Sequence, residues 1–409
     1  MAAIPRFRIS LSKKDIAELR ADLNQSQSDK KGEVEKFERL FAAYIRRKNA
    51  IFFPSARIGL YHILKGLNLK PGDGVIVPAW THTSVPAMIA AADLRPMFVD
   101  IEGGTYNMTH NTVPKDYWNK AKAIIITSLY GCPAPVEELK ELAEKNNLII
   151  IEDCAQSLGA TIHGTLTGAF GAASIFSLSI TKNLTTLKGG MICTDDSKLA
   201  NHLRSLRMDS FVPGSELSAV LDLCEKAKKY TAPAMYKTIV HPALMFASIF
   251  GIDPIHDRFI EKTEIKKPPA KVPMPNPIQA ALGTRKIRRL DRRNETRNRN
   301  GKFLIDNLKG IKGVIIPRIK KGHYHIFMSF VLMVEDPKKI KKELLFKGID
   351  TSPGYLRNCA NMKIFDKFHV RCKMAERMER MQIHIPVYPG ISKDELTHIA
   401  RSIVDICAK

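Results

Sequence analysis

The run SLSITKNLTTLKGGM, residues 177–191, sets Lys182 between a serine-rich stretch of strand-like pattern and a pair of threonines, with Gly189 and Gly190 close behind. A lysine in so tight and apolar a setting departs from the usual snorkelling surface residue. Desolvation and cationic neighbours ease the loss of its proton, and a neutral amine can attack a carbonyl and hold it as a Schiff base. Other chemistry-bearing residues stand at the ends of apolar runs: Ser55-Ala56-Arg57, Trp80-Thr81-His82, Tyr130-Gly131, Asp153-Cys154-Ala155-Gln156 and Ser177. Together with the lysine they meet the needs of pyridoxal phosphate, which are an anion site, a flat group against the ring and a carboxylate for the pyridine nitrogen. Ser55 and Arg57 open an expected helix, where free amides, a hydroxyl and a guanidinium can hold a phosphate. Asp153 can keep the ring nitrogen protonated, and His82 or Trp80 can supply the flat face. Taken singly, each has a plainer reading: Ser55 as an N-cap, Asp153 as a structural carboxylate, Lys182 as a buried stem with a solvated head.

The elements that must position these residues alternate regularly. AIFF (50–53), GVIVPAW, RPMFVDI, AKAIIITSLYG and NLIIIEDCAQ read as strands. They are separated by helical segments such as PSARIGLYHILKGLN, TSVPAMIAAADL and PVEELKELAEKN. Strands that are apolar throughout and joined by helices predict an α/β fold with a mainly parallel sheet covered on both faces. In such sheets the functional groups gather where strands end and helices begin, which is where the residues above fall.

At 409 residues, 44% hydrophobic and 26% charged, the chain has the composition of a folded protein with one large core or two unequal ones. Its opening, MAAIPRFRISLSKKD, is already charged and has no apolar core of signal-peptide length. Seven scattered cysteines form no C-x-x-C pair and no metal-ligand spacing, so reduced thiols in a cytoplasmic protein and no metal are expected. The net charge of +23 is spread along the chain, with one dense block from Arg285 to Lys302. That block has helical spacing and no aromatics to stack on bases. It reads as a solvated or anion-facing helix, and no nucleic-acid partner is expected.

The sequence resembles the DegT/DnrJ/StrS family of pyridoxal-phosphate sugar aminotransferases, of fold type I. The resemblance rests on FERLFAAYIRRKNAIFFPSARIGLYHIL, on GDGVIVPAWTHTSVPAMIAAADLRPMFVDIEGGTYNM and on IIIEDCAQSLGATIHGTLTGAFGAASIFSLSITKNLTTLKGGMICTDD. It continues through IQAALGTRKIRRLDRRNETRNRN, YHIFMSFVL, KGIDTSPGY and IHIPVYPGISKDEL. It implies a large cofactor-binding domain, residues 1–285, and a small C-terminal α/β domain, residues 286–409. It implies further that Lys182 is the Schiff-base lysine and Asp153 the partner of the pyridine nitrogen. Gln156 would lie by the phenolic oxygen, and Ser177, Ser55, Ala56 and Arg57 by the phosphate, with His82 against the ring. Trp80, His325 and Tyr355 are candidate substrate contacts. The implied reaction moves an amino group, from glutamate, onto a nucleotide-linked keto-sugar for glycan synthesis, in a homodimer. Relatives that replace the lysine by histidine are dehydratases, so Lys182 argues for transamination. A non-sugar carbonyl substrate, or a regulatory protein that binds the cofactor without turnover, stands as the alternative.

The departures are informative. Ser55-Ala56-Arg57 replaces the family's S-G-T, and His82 replaces a stacking aromatic. KVPMPNP (271–277) stands where a G-Y-N-x-R loop often reaches across the dimer, with Asn276 as a displaced substitute. Residues 209–272 form an atypical insert whose strongest apolar run, PALMFASIFGI, is too short to span a bilayer. It reads as a lid, as dimer surface, or as a peripheral membrane contact through 226–267 beside Lys226, Lys228, Lys229 and Lys237.

Overall fold

The computed structural model describes residues 3–24, 31–254 and 264–407. Two helices, α1 (Lys13–Asn24) and α2 (Lys31–Ile45), lead into the strand β1 (Asn49–Phe53). There follow α3 (Ala56–Gly66), β2 (Gly74–Pro78), α4 (Ser84–Ala91), β3 (Arg95–Val99), β4 (Ala121–Thr127) and α5 (Val136–Lys145). Then come β5 (Ile149–Asp153), β6 (Ala173–Ser177) and β7 (Gly190–Thr194). These seven strands make one sheet in the order β1-β7-β6-β5-β4-β2-β3. Only β7 is reversed: it pairs antiparallel with β1 and β6, while the remaining pairs are parallel. Every residue of β2 and β7 is buried, as expected of strands with helices on both faces.

Register decides what meets at the edge of this sheet. Thr127 lies opposite Asp153, and Asp153 opposite Ile175, two residues before Ser177. Because β7 runs the other way, its first residue, Gly190, lies opposite both Ser177 and Phe53. One edge therefore gathers the ends of β1, β4, β5 and β6 with the start of β7, and the turn after Phe53 leads straight into α3.

The chain continues through α6 (Gly214–Tyr230), α7 (His241–Ile249), α8 (Pro277–Ile287) and α9 (Leu290–Leu308). It ends in a smaller layer of β8 (Val314–Ile315), β9 (Phe330–Val334), α10 (Pro337–Phe346), β10 (Gln382–Ile385) and α11 (Lys393–Cys407), where β8, β9 and β10 pair antiparallel. The helix α9 is shared between the two cores. Leu290 packs with Phe37, Phe52 and Phe176, whereas Leu304 and Leu308 pack with Phe330, Leu344 and Ile399. Ile4 also belongs to the second core, where it bridges to Ile349.

Between 214 and 249 the insert is largely helical and tied down. The inner side of α6 (Leu217, Leu221, Cys224) packs on Leu11, Leu19 and Ile278, and Lys228 donates to the Leu11 carbonyl at 2.8 Å. Further on, Tyr236 donates to Asp350 Oδ2 at 2.9 Å and His241 Nε2 to the Leu345 carbonyl at 2.8 Å. The expected membrane contact at 226–267 lies outside the described residues over 255–263. Among the described residues no helix is long and apolar enough to cross a membrane. All seven cysteines are free.

Candidate active site

The phosphate-type cradle follows from local backbone chemistry. Ser55 is extended (φ −158°) and its Oγ accepts from the Ile58 amide at 3.3 Å, so it caps α3. It also bridges to Gly189, which brings the first turn of α3 against the start of β7. The approach is so close that a Cβ on Gly190 would lie 2.2 Å from the Ala56 nitrogen. Only glycine fits there. The helix N-terminus, with the exposed Arg57 in its first turn, thus opens onto the same edge as Ser177, whose Oγ lies 3.5 Å from that of Ser179.

Lys182 is held by the loop between β6 and β7. Its amide donates to the Ser179 carbonyl at 3.1 Å, and the loop is braced by Asn183, which donates to the Leu158 carbonyl at 2.9 Å. Gln279, from α8, donates to the carbonyls of Thr186 and Lys188 at 3.1 and 2.7 Å. The side chain is 8% exposed, and Nζ lies 5.7 Å from the centre of the Tyr355 ring. Tyr355 in turn stands 6.2 Å from the His82 ring, centre to centre. His82 is fixed through Nδ1, which accepts from the Ser84 amide at 3.2 Å and lies 2.8 Å from its Oγ.

Asp153, at the end of β5, accepts from the Ala155 amide at 3.0 Å. Burial pushes its carboxyl above the usual aspartate range, while the Ala155 amide and the Lys182 cation pull the other way. The lysine and aspartate therefore feel each other inside the protein. Gln156 accepts from the Tyr130 amide at 2.9 Å, which fixes its side chain beside the same strand end. Two threonines of this edge, Thr81 and Thr127, have buried hydroxyls without a partner in the described residues, as does the amide of Asn358, the residue paired with Trp80. An unmatched buried polar atom costs about 1–3 kcal/mol, and the Thr127 hydroxyl, opposite Asp153 in register, is one that a polar ligand could satisfy.

Lys182, Asp153, Gln156, Ser177, His82 and Tyr355, together with Ser55, Ala56 and Arg57, all lie at or beside this edge. Trp80 and His325 are held differently. Trp80 is fully buried and donates from Nε1 to the Tyr130 hydroxyl at 2.9 Å. The His325 ring is stacked on Phe327 with centres 3.8 Å apart, and its Nδ1 accepts from the Phe327 amide at 2.8 Å. Burial lowers its pKa to about 3, so it is a neutral packing group. Asn276 is spent on capping α8 and on the Val212 carbonyl, to which it donates at 3.0 Å. The basic block of 285–302 is helical but only half solvated: Arg297 is buried and donates to the carbonyls of Phe327 and Met328. Tyr130, named among the strand ends but given no role there, sits at the centre of this hydrogen-bond set. Its hydroxyl also donates to Gln382 Oε1 at 3.3 Å, so the side chain links Trp80 to Gln382 while the main-chain amide holds Gln156. The Tyr130-Gly131 pair at a strand end is the only sequence signal for it.

One sheet, parallel but for a single reversed strand, thus carries a lysine and an aspartate at its edge beside a helix N-terminus. The model of the DegT/DnrJ/EryC1/StrS aminotransferase family matches residues 10–220 and 248–404. The chain belongs to this family of aminotransferases. An uncharacterised protein of Methanocaldococcus jannaschii is 26% identical over 99% of this chain and 98% of its own length. A UDP-N-acetyl-3-dehydro-alpha-D-glucosamine 3-aminotransferase of Acidithiobacillus ferrooxidans is 28% identical over 83% of this chain and 79% of its own. The solved structure of the E. coli GDP-4-keto-6-deoxy-D-mannose-3-dehydratase with bound hydrated pyridoxal phosphate superposes with a TM-score of 0.76 at 20% identity, covering 98% of this chain and 100% of that one.

Proposed function

We propose that the protein is a pyridoxal-phosphate-dependent aminotransferase that moves an amino group from glutamate onto a nucleotide-linked keto-sugar, for glycan or glycoconjugate synthesis. The observation that carries this reading is Lys182, enclosed under Tyr355 and electrostatically coupled to the buried Asp153. The residues fit the group. The Ser55–Arg57 turn and Ser177 would hold its phosphate, Asp153 its ring nitrogen, Gln156 its phenolic oxygen, and His82 its face, while the unmatched hydroxyls offer further donors. Bound pyridoxal phosphate supplies an electron sink for the carbon that carries the amino group. Asp153 keeps the ring nitrogen protonated, for which its position at the sheet edge and its Ala155 bond orient it. The Lys182 amine takes a proton from the substrate carbon and returns one on the other side of the transfer, as base and then acid. Tyr355, over that amine, limits access of water.

Support for the sugar comes from the named relatives: the Acidithiobacillus protein acts on a UDP-linked sugar, and two GDP-perosamine synthases match about half of the chain. The enzyme works in the cytoplasm as a homodimer, which sedimentation at assay concentration checks. The decisive experiment incubates the protein with glutamate and a panel of UDP-, dTDP- and GDP-linked keto-sugars and follows 2-oxoglutarate. Borohydride should fix the cofactor on Lys182, and Lys182→Ala should lower turnover at least about 1,000-fold. Label on another lysine, or turnover in Lys182→Ala near that of the parent, refutes the reading.

A further inference from the structure

The family model passes over residues 221–247, the stretch that carries the end of α6 and most of α7. Whatever this segment does is additional to the shared catalytic fold. Its composition is unusual for a surface: from Thr231 to Ile252 the only charged residue is Lys237. Yet it is at the surface. Among the described residues, every large apolar side chain more than half exposed lies between 223 and 252: Leu223 59%, Tyr230 52%, Ile239 58%, Phe246 66%, Ile249 59%, Phe250 66% and Ile252 53%.

The exposure follows helical geometry. Ile239, Pro242, Ala243, Phe246, Ile249 and Phe250 recur at three- and four-residue steps and are all exposed, so they form one outward stripe. The opposite side, with His241 and Leu244, is buried against α10 and the first described residues of the chain. A helix at a protein surface ordinarily turns polar residues outward, whereas α7 is apolar on both sides. Phe246 and Phe250 pack edge-on against each other at 5.4 Å while both remain exposed. The stripe is also held in place. Tyr236 and His241 are bonded to Asp350 and Leu345, and beyond it Asp253 pairs with Arg6 at 2.9 Å. Along the chain the charges flanking it have one sign: Lys226, Lys229 and Lys237 are exposed, and no acidic residue occurs between Glu225 and Asp253, both of which pair with arginines.

We propose that this face docks on an anionic membrane surface, with α7 lying in the plane of the interface and the lysines against lipid phosphates. An ordered apolar stripe flanked in sequence by exposed lysines, too short to cross, is the arrangement of an interfacial helix. A second copy of the chain fits less well. The stripe offers on the order of 500 Å², short of the ~800 Å² per partner of a standard interface, and self-pairing would bring its lysines together. The inference is independent of the assigned reaction.

Flotation of the full-length protein tests it, with vesicles of phosphatidylcholine plus phosphatidylglycerol against phosphatidylcholine alone. The expected result is salt-sensitive flotation on the anionic vesicles only. Phe246→Ser with Phe250→Ser should reduce it about tenfold or more, with sedimentation and aminotransferase activity unchanged. Lys226→Gln, Lys229→Gln and Lys237→Gln together should reduce it to a similar or greater degree, since each basic residue contributes about fivefold. The proposal is overturned by no flotation at low salt, by flotation that survives the phenylalanine changes, or by phenylalanine changes that split an oligomer, which would assign the face to a second copy.

Discussion

Asp153 carries two demands that pull apart. Burial raises its proton affinity above that of the unfolded chain, so stability is lost as pH rises from the unfolded aspartate pKa through the raised native one. At neutral pH the ionised carboxylate is therefore a cost, offset in part by Lys182 and the Ala155 amide. Asp153→Asn removes that cost and keeps the shape. The cofactor-free variant should unfold at an equal or higher temperature than the parent, while turnover falls on the order of 100-fold or more. Thermal melts and the glutamate assay read the two effects separately. A variant that melts lower and turns over normally would reverse the assignment. The positions of carboxylate and lysine, both buried beside the ends of apolar strands, were legible from the sequence because polar types stand out against those runs. The burial of Trp80 and His325 was not, since a strand-end aromatic looks the same whether it faces a ligand or a tyrosine hydroxyl.

At the scale of elements, the reversed strand β7 sets the site, because it brings Gly190 between Ser177 and the turn that starts α3. Gly190→Ala should force Cβ into the Ala56 nitrogen and push the helix N-terminus away. The expected outcome is a loss of about 1–3 kcal/mol in urea unfolding together with weaker binding of pyridoxal phosphate, titrated by absorbance. Gly32→Ala, where an added Cβ meets nothing within 4 Å, is the control that should change neither. The strands β1 to β5 could be read from sequence because helices cover both of their faces and make them apolar throughout. The reversal of β7 could not, since a run of apolar residues has no direction. The half-burial of α9 was hidden for a different reason. Its Asn294, Arg297 and Asn298 are buried by donating to main-chain carbonyls of distant loops, and composition reports polarity without reporting partners.

Over the whole molecule, Arg6 is the joint. Its guanidinium grips Asp350 through two bonds of 2.8 Å and reaches Asp253 at 2.9 and 3.0 Å, joining the first described residues, the insert and the small domain. Arg6→Ala takes the shared cation from both acids, leaving Asp350 to Tyr236 and Asp253 to Lys341, and should destabilise the protein by about 3 kcal/mol, read as a lower urea midpoint, with faster proteolysis between α6 and α8. No local pattern in the sequence pairs residues so far apart. The separation also has a consequence in time. Arg6 leaves the ribosome 344 residues ahead of Asp350. At about 5–20 residues per second, that is a wait of roughly 20–70 s. During synthesis the large sheet can close as soon as β7 has emerged, but the second core cannot be completed by the C-terminal elements alone. It must recruit Ile4, made well before the rest of that core and docked with it at the end.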